Sequence, residues 1–199
     1  MSPVICRARL IAMAATALCL PALALDSVKM MIAAETGKPC DVVGRELGKA
    51  LTATGAAKDV QYQNQAGAGG AIALAQFVNA SKGDPGALMV GGSAMMAAIL
   101  RNKSAVDLTN VTALARLAAP LKEQGASVEL DAWCGAFAAP GITSAQRDEL
   151  VKAVETAAKT SEWQASLRKN AWESRWLAGA AYASFLDAEG KRISTLLAR

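Results

Sequence analysis

The chain has 199 residues, of which 53% are hydrophobic and 19% charged, and its formal net charge is +4. This length is typical of one domain that can bury a sizeable core. The weak positive charge and the lack of a Lys/Arg cluster interleaved with aromatic residues argue against nucleic-acid binding. The sequence has no histidine, which excludes the usual general base, the Ser–His and Cys–His nucleophile systems and most zinc sites.

The start of the chain has the pattern of a secretory signal peptide over residues 1–24. Arg7 and Arg9 supply positive charge, Leu10 to Leu20 form a short apolar run, and Ala22-Leu23-Ala24 matches a small-residue cleavage site. The run is too short for a membrane-spanning helix. We therefore expect cleavage of this segment and a periplasmic location after export across the inner membrane.

The next segment predicts a buried strand over 28–34, a polar turn, and a helix that Asp41 caps. Thr54-Gly55 would end this helix. Its apolar stripe has the i, i+4, i+7, i+8 spacing of an amphipathic helix, and it consists of Val43, Leu47, Ala50 and Leu51.

The stretch Asn64-Gln65-Ala66-Gly67-Ala68-Gly69-Gly70 joins an extended segment, 59–63, to a helical pattern over 70–80. Its three glycines allow backbone turns that a Cβ would forbid, and they let a ligand approach the main chain. A helix beginning there would direct unpaired N–H groups and the positive end of its dipole at the turn, which favours a carboxylate or phosphate. The alternative is that the glycines only make a tight strand-to-helix turn.

A third unit follows, with a short strand over 87–90, the turn Gly91-Gly92-Ser93 and a helical run over 94–100. Three strand–turn–helix units in succession predict an α/β fold with a mainly parallel sheet. All three turns would then lie at the carboxyl edge of that sheet, where open α/β folds bind ligands.

The second half of the chain has less regular patterns. Residues 109–117 fit a further strand or a short helix, and residues 128–138 fit a strand that carries Trp133. Trp172 and Trp176 fall in a connection between helices, and we expect them to pack in the core.

Three helices are predicted in this half. Thr143 with Gln146 makes a capping box for a helix that runs to about residue 160, and Ser161 with Gln164 repeats the device for a shorter helix. A last helix over 180–198 carries an apolar stripe, which consists of Tyr182, Phe185, Leu186, Ile193 and Leu197.

Cys40 and Cys134 are the two cysteines that follow the predicted signal peptide. Export permits a disulfide between them, and the sequence leaves open whether their Cα atoms lie within bonding range. No Cys-x-x-Cys motif supports a redox activity.

These motifs together resemble the periplasmic substrate-binding proteins of tripartite tricarboxylate transporters, also called Bug receptors. The glycine stretch matches the family's Asn-x-x-Gly-Ala-Gly-Gly pattern. The matching segments follow one another along nearly the whole chain after residue 24, and they are Asp41-Val42-Val43-Gly44-Arg45, Asn64 to Gly70, Leu88 to Ser93, Leu121-Lys122-Glu123-Gln124-Gly125, Trp133-Cys134-Gly135, Ala139-Pro140-Gly141-Ile142-Thr143, Trp163-Gln164 and Phe185-Leu186.

The resemblance implies a lobe of the type II periplasmic-binding-protein fold and a function without catalysis, cofactor or metal. The protein would capture a small carboxylate metabolite and deliver it to the membrane permease subunits of a transporter. The three turns and the resemblance give the candidate ligand-binding residues, which are Gly37, Asp41, Asn64, Gly67, Ala68, Gly69, Gly70, Gly92 and Ser93.

The first turn departs from the family pattern, which has a proline and glycine-rich loop before the helical aspartate. Here the turn is Thr36-Gly37-Lys38-Pro39-Cys40. Pro39 supplies no N–H group, whereas Lys38 could offer a positive charge to an acidic ligand.

The second departure is an absent segment. In the family, the chain leaves its first lobe after a strand like 111–117, builds a second lobe, and returns before a segment like 121–125. Here only Ala118 to Pro120 join these points, so a lobe of about one ordinary domain is predicted to be missing. The predicted organisation is a signal peptide over 1–24, the first part of lobe 1 over 25–117, a junction at 118–120, and the second part of lobe 1 over 121–199.

Three functions follow from these patterns. The first is a truncated receptor whose carboxylate binding is impaired by the loss of a lobe. The second is a remnant lobe that binds no ligand and forms a homodimer through the face that its partner lobe would cover. The third, a dinucleotide-dependent enzyme, fails because the last glycine of G-x-G-x-x-G would fall at Ile72.

Overall fold

The computed structural model describes residues 25–120 and 132–198. The predicted signal peptide and the Leu121–Gly125 motif lie outside these ranges. The described residues form a single lobe built on one six-stranded sheet with the order β2-β1-β3-β5-β4-β6. The strands are β1 (Val28–Ile32), β2 (Val60–Asn64), β3 (Ala87–Gly92), β4 (Thr112–Pro120), β5 (Cys134–Ala138) and β6 (Trp172–Ala178).

Helices cover both faces of the sheet. They are α1 (Pro39–Ala53), α2 (Ala71–Ala80), α3 (Ser93–Arg101), α4 (Ser144–Ala158), α5 (Ser161–Lys169) and α6 (Gly179–Leu197), with short 3₁₀ turns at Ala68–Gly70 and Leu108–Asn110. Within the described ranges, no helix is both long and apolar enough to span a membrane.

The predicted α/β lobe is confirmed, but its sheet is mixed. β1 pairs in parallel with β2 and β3, whereas the pairings of β3 with β5, β5 with β4, and β4 with β6 are antiparallel. Parallel neighbours need a crossover connection, usually a helix. Only the first three units of the chain have that strand–helix alternation, so the parallel part of the sheet ends at β3.

Two hydrophobic layers hold the lobe together, one on each face of the sheet. Helices α1, α4 and α5 pack on one face, and α2, α3 and α6 pack on the other. β1 serves both layers because successive side chains of a strand point to opposite faces: Met30 and Ile32 contact the first layer and Met31 the second.

The predicted stripe of α1 is confirmed, since Val43, Leu47, Ala50 and Leu51 are all buried. The helix starts earlier than expected, because Lys38 is its N-cap residue and Pro39 occupies the first helical position. Proline is well suited there because the first N–H of a helix has no intrahelical partner. Asp41 is therefore inside the first turn and does not occupy the predicted cap position.

The capping box of Thr143 and Gln146 at the start of α4 is confirmed. The one predicted at Ser161 and Gln164 is wrong by one residue. Thr160 is the N-cap of α5, and its hydroxyl oxygen accepts a hydrogen bond from the N–H of Trp163 at 3.2 Å.

The strand β6 was not predicted, and it contains Trp172 and Trp176. Trp172 is buried, as expected, and Trp176 packs partly against the same layer. Residues 109–117 contain both predicted alternatives, a 3₁₀ turn followed by the first part of β4. β4 continues through Ala118–Pro120, which pair with β6.

Candidate functional site

The carboxyl ends of β1, β2 and β3 meet at one edge of the sheet because these strands are parallel. Each strand is followed by the start of a helix. A cleft of about 640 Å³ lies at this edge, and we call it the carboxyl-edge cleft. The residues that line it are Ala33, Ala34, Glu35, Lys38, Pro39, Cys40, Ala66, Gly67, Ala68, Gly69, Gly70, Gly92, Ser93, Ala94, Met95, Ala132, Trp133, Cys134 and Trp172.

The cleft brings together six of the nine predicted ligand-binding residues, from the second and third turns: Gly67, Ala68, Gly69, Gly70, Gly92 and Ser93. Gly37, Asp41 and Asn64 are not among its lining residues. Sequence reasoning did not assign Trp133 or Trp172 to the site. The signal that could have found Trp172 is the alternation of apolar and charged residues over 172–176, which is typical of a strand.

The glycine turn between β2 and α2 needs its glycines for conformational reasons. Gly67, Gly69 and Gly70 all have positive φ angles, of 112°, 65° and 104°. A Cβ on Gly70 would lie 3.0 Å from the carbonyl oxygen of Ala33. The turn therefore fixes the start of α2 directly against the end of β1.

The same turn presents unpaired backbone donors to the cleft. The N–H groups of Gly67 and Ala68 donate no hydrogen bond to any residue that the structure describes. In the first turn of α3, Ala94 and Met95 also line the cleft, and the N-cap residue Gly92 has no side chain to accept their N–H groups. Such donors, together with the positive ends of the helix dipoles, favour an anion.

Ser93 links the third turn to the start of β5. Its N–H donates to the carbonyl oxygen of Trp133 at 3.2 Å, and its hydroxyl oxygen accepts from the N–H of Trp133 at 3.4 Å. A Cβ on the preceding Gly92 would overlap that Trp133 carbonyl oxygen. Glycine is thus required where β3 and β5 approach each other beside the cleft.

Asp41 is buried behind the first turn, with 2% of its surface exposed. One carboxylate oxygen accepts from the N–H of Gly37 at 2.7 Å, and the other accepts from Asn64 Nδ2 at 2.8 Å and Arg45 Nε at 2.9 Å. Arg45 Nη2 donates to Asn64 Oδ1 at 2.8 Å, so the three side chains close a ring. The ring connects the turn after β1 to the end of β2.

The charge state of Asp41 follows from these contacts. Burial raises the pKa of its carboxyl group, but the hydrogen bonds from Gly37 and Asn64 and the positive charge of Arg45 outweigh burial, so that the pKa lies below its ordinary value of 3.8. Asp41 is therefore ionised at neutral pH. Asn64 Nδ2 also donates to the carbonyl oxygen of Ala34 at 3.1 Å, which means that Asp41 and Asn64 support the cleft wall from behind.

Cys40 and Cys134 form a disulfide across 94 residues of sequence, with their Cα atoms 5.6 Å apart. Both residues line the cleft. The bond connects the first turn of α1 to the first residue of β5.

Two of the lining residues carry charge, Glu35 and Lys38, and both are exposed. Neither makes an ion pair with another described residue. Among residues 25–120 and 132–198, no group of three or more His, Cys, Asp or Glu side chains could hold a metal ion.

A second cavity, of about 1340 Å³, is larger. It lies between α4, α6 and the start of β4, and none of the nine predicted ligand-binding residues lines it. We assign the candidate site to the smaller cleft, because the helix starts and the unpaired backbone donors converge there.

No protein-family model and no curated protein matches the sequence. The structure is similar to a TctC solute-binding protein from Polaromonas, with a TM-score of 0.74, 10% identity, and coverage of 86% of this chain and 98% of that chain. It is also similar to MatC from Rhodopseudomonas palustris with bound malate. The TM-score is 0.67 at 14% identity, and the match covers 86% of this chain and 99% of that chain. For the periplasmic binding protein BugD, the TM-score is 0.62 at 12% identity, with coverage of 86% and 96%.

These structural neighbours are solute-binding proteins of the TctC and Bug type. The fold that the sequence motifs implied is therefore confirmed. At sequence identities of 10% to 14%, this structural similarity is evidence for a shared fold alone.

Proposed function

We propose that this protein is the periplasmic solute-binding component of a tripartite tricarboxylate-type transporter. It captures a small carboxylate in the carboxyl-edge cleft and delivers it to the membrane permease subunits. The observation that carries the proposal is the convergence of three helix starts on one cleft, with unpaired N–H groups at Gly67, Ala68, Ala94 and Met95. The structural neighbours, one of which holds malate, support it.

Backbone donors at helix starts suit a carboxylate for a physical reason. Each N–H group carries a partial positive charge, and the aligned peptide dipoles add to it, so an anion replaces water there at little desolvation cost to the protein. Lys38 lies on the opposite wall, beside Cys40. It would pair with a second acid group of the ligand.

The cleft is open to solvent, and this limits its affinity. An exposed helix-terminus contact contributes about 0.3–1 kcal/mol, whereas micromolar binding requires about 8 kcal/mol. Three or four such contacts contribute at most about 4 kcal/mol, so the expected dissociation constant is about 1 mM or weaker.

We infer that the weak affinity reflects the absence of a second lobe. β4 ends at Pro120 and β5 begins at Cys134, and both ends lie at the edge of the cleft. The chain thus leaves and re-enters the sheet where a closing lobe would have to be inserted. Ala118–Pro120, the proposed junction, form the last part of β4.

The experiment is a titration of the ¹⁵N-labelled protein with malate, followed by two-dimensional NMR. We expect the largest amide shifts at Gly67, Ala68 and Ala94, with a dissociation constant of about 1 mM or weaker. The matched control is the neutral diamide of malate, which has the same shape without negative charge. Equal shifts with the diamide, or none with malate at ten times that concentration, would rule out carboxylate capture by this cleft.

Export belongs to the same proposal. Protein recovered from the periplasm of cells that express residues 1–199 should begin at Leu25, because Ala22-Leu23-Ala24 precedes that residue. N-terminal sequencing of the recovered protein tests this. An intact Met1 would contradict cleavage.

A second candidate function is self-association through the open cleft face. Ile72 is 49% exposed, the largest exposed fraction of a large hydrophobic side chain among the described residues, and it lies beside Gly67 at the rim. Self-association through this face would bury the Ile72 side chain. Light scattering distinguishes the candidates: a dimer that Ile72→Ser converts to a monomer supports self-association, and a wild-type monomer contradicts it.

A further inference from the structure

The segment from Gly37 to Asp41, which leads into α1, contributes to one wall of the carboxyl-edge cleft. It contributes Lys38, Pro39 and Cys40 to the lining, and Gly37 to Pro39 are exposed. An exposed turn keeps a fixed position only if contacts at its sides hold it. Two such contacts exist, and they differ in kind.

On the β2 side, the turn is held by polar contacts. Asp41 accepts from Gly37 within the turn and from Asn64 and Arg45 outside it. The guanidinium carbon of Arg45 lies 5.2 Å from the centre of the Tyr62 ring, which fixes the arginine in turn. None of the hydrogen bonds on this side involves a cysteine sulfur, so we expect them to remain when the disulfide is reduced.

On the β5 side, the turn is held by the disulfide. Cys134 is fully buried, and its backbone pairs with Gly92 of β3 and Ala118 of β4. Cys40, by contrast, is in the exposed turn. The bond therefore links the Lys38–Cys40 wall, through Cys134, to the strand β3 and the Gly92–Ser93 turn that follows it, and both segments line the cleft.

We propose that Cys40 and Cys134 are positioning residues of the cleft, and that carboxylate binding depends on the disulfide between them. The inference rests on the proposed function, since it concerns the same cleft. With the bond closed, Lys38 and the start of α1 are held opposite the unpaired donors of the second and third turns. With the bond open, the polar ring keeps α1 attached to β2, while the Cys40 side of the wall separates from β5.

Reduction by a dithiol is the step that opens the bond. A thiolate of the dithiol attacks Cys40 Sγ, the more accessible sulfur, and the Cys134 thiolate leaves and takes a proton. The second dithiol thiolate then displaces Cys40, which is also protonated. Two electrons and two protons pass to the cysteine pair, and the dithiol becomes a cyclic disulfide.

The test uses the protein purified after export, with malate as the probe and NMR as the readout. Four samples are compared: oxidised wild type, wild type reduced with dithiothreitol, and the Cys40→Ala/Cys134→Ala variant with and without dithiothreitol. The variant treated with reductant is the control for effects of the reagent. Amide hydrogen exchange is measured at Cys40, Asp41 and Val42, with Leu88 and Val90 of β3 as the reference for the core.

We expect reduction and the double substitution to have the same effect. Malate should bind about tenfold more weakly, which corresponds to ~1.4 kcal/mol. Exchange should accelerate at Cys40 to Val42 and stay unchanged at Leu88 and Val90, because the wall moves while the sheet remains intact.

Three results would overturn the inference. Malate affinity that changes by less than about twofold on reduction would show that the bond does not position the wall. Acceleration of exchange at Leu88 and Val90 to the same degree would show that the bond only stabilises the whole lobe. If the oxidised protein does not bind malate, the proposed function fails first, and this inference fails with it.

Discussion

The carboxyl-edge cleft and the larger cavity between α4 and α6 differ in what surrounds them. The larger one is lined mostly by the sides of α3, α4 and α6, together with the start of β4 and the first residues of α6. Two ion pairs join residues of its lining, Arg147 with Asp148 and Lys191 with Asp187. The carboxyl-edge cleft has about half that volume. It is lined mainly by turns and helix starts, and there the N–H groups of Gly67, Ala68, Ala94 and Met95 have no partner among the described residues.

Under the proposed function, this difference makes anion binding depend on the backbone donors more than on cavity size. The side of a helix presents side chains to a cavity, because its backbone N–H and C=O groups are paired within the helix. Helix starts present backbone donors that nothing in the helix can satisfy. The following predictions compare matched substitutions at the two cavities, in order of decreasing effect.

The largest expected effect is that of Gly92→Ala. The added Cβ would overlap the carbonyl oxygen of Trp133, so β3 and β5 must separate beside the cleft. We expect the free energy of unfolding to fall by about 3 kcal/mol. The control is Gly190→Ala at the large cavity, where a Cβ meets no atom within 4 Å and where helix propensity predicts a gain of about 0.5–1 kcal/mol. Urea unfolding measures both, and equal effects would contradict this description of Gly92.

Asp41→Asn should have the next largest effect. The amide replaces one acceptor oxygen by a donor, so the contacts with Gly37, Asn64 and Arg45 cannot all be kept. We expect a loss of about 2 kcal/mol in unfolding free energy. The matched control, Asp187→Asn, breaks an exposed ion pair with Lys191 and should cost less than about 1 kcal/mol. A cost at Asp41 no greater than that at Asp187 would disprove the supporting role of the ring.

The pH dependence of stability gives a smaller effect with a definite sign. Because the pKa of Asp41 is lower in the folded state than its ordinary value of 3.8, its ionised form stabilises the fold above that value. This stabilisation is lost as the pH falls below 3.8 and through the folded-state pKa. The difference in unfolding free energy between wild type and Asp41→Asn should therefore shrink in that range. A difference that stays constant from pH 7 to pH 3 would contradict this.

The smallest expected effect concerns Lys38. Its positive charge lies on the wall opposite the backbone donors, so Lys38→Ala should weaken malate binding by a factor of about 2–5, less at high salt. Lys152 is the control, since it is also exposed but lines the large cavity. Lys152→Ala should leave the NMR titration unchanged. Equal weakening by both substitutions would indicate a general charge effect.

The predicted features that the structure confirmed are local ones. The stripe of α1, the capping box at Thr143 and the helix after the glycine turn each depend on residues within one or two turns of each other. Periodicity and capping act over such distances. The sequence also led to six residues that the cleft brings together, because every parallel strand–turn–helix unit places its turn at the same edge.

The errors concern contacts between distant segments. One error is local: α1 begins at Pro39, so Asp41 is not its cap residue. The Asp41 carboxylate instead bonds to Asn64 and Arg45 as well as to Gly37. β6 was missed because its pattern, Trp172 to Trp176, is short and is stabilised by pairing with β4. The antiparallel half of the sheet was also missed, since no local pattern in the sequence specifies which strands pair there.

The sequence by itself therefore determined the α/β class, the position of the turns and the need for glycine at them, because these depend on local sterics and periodicity. Only the tertiary structure decided which residues line the cleft and which support it from behind. It also decided that Cys40 and Cys134, 94 residues apart, lie within bonding distance. Such proximity results from the order of strands in the sheet, which no spacing in the sequence encodes.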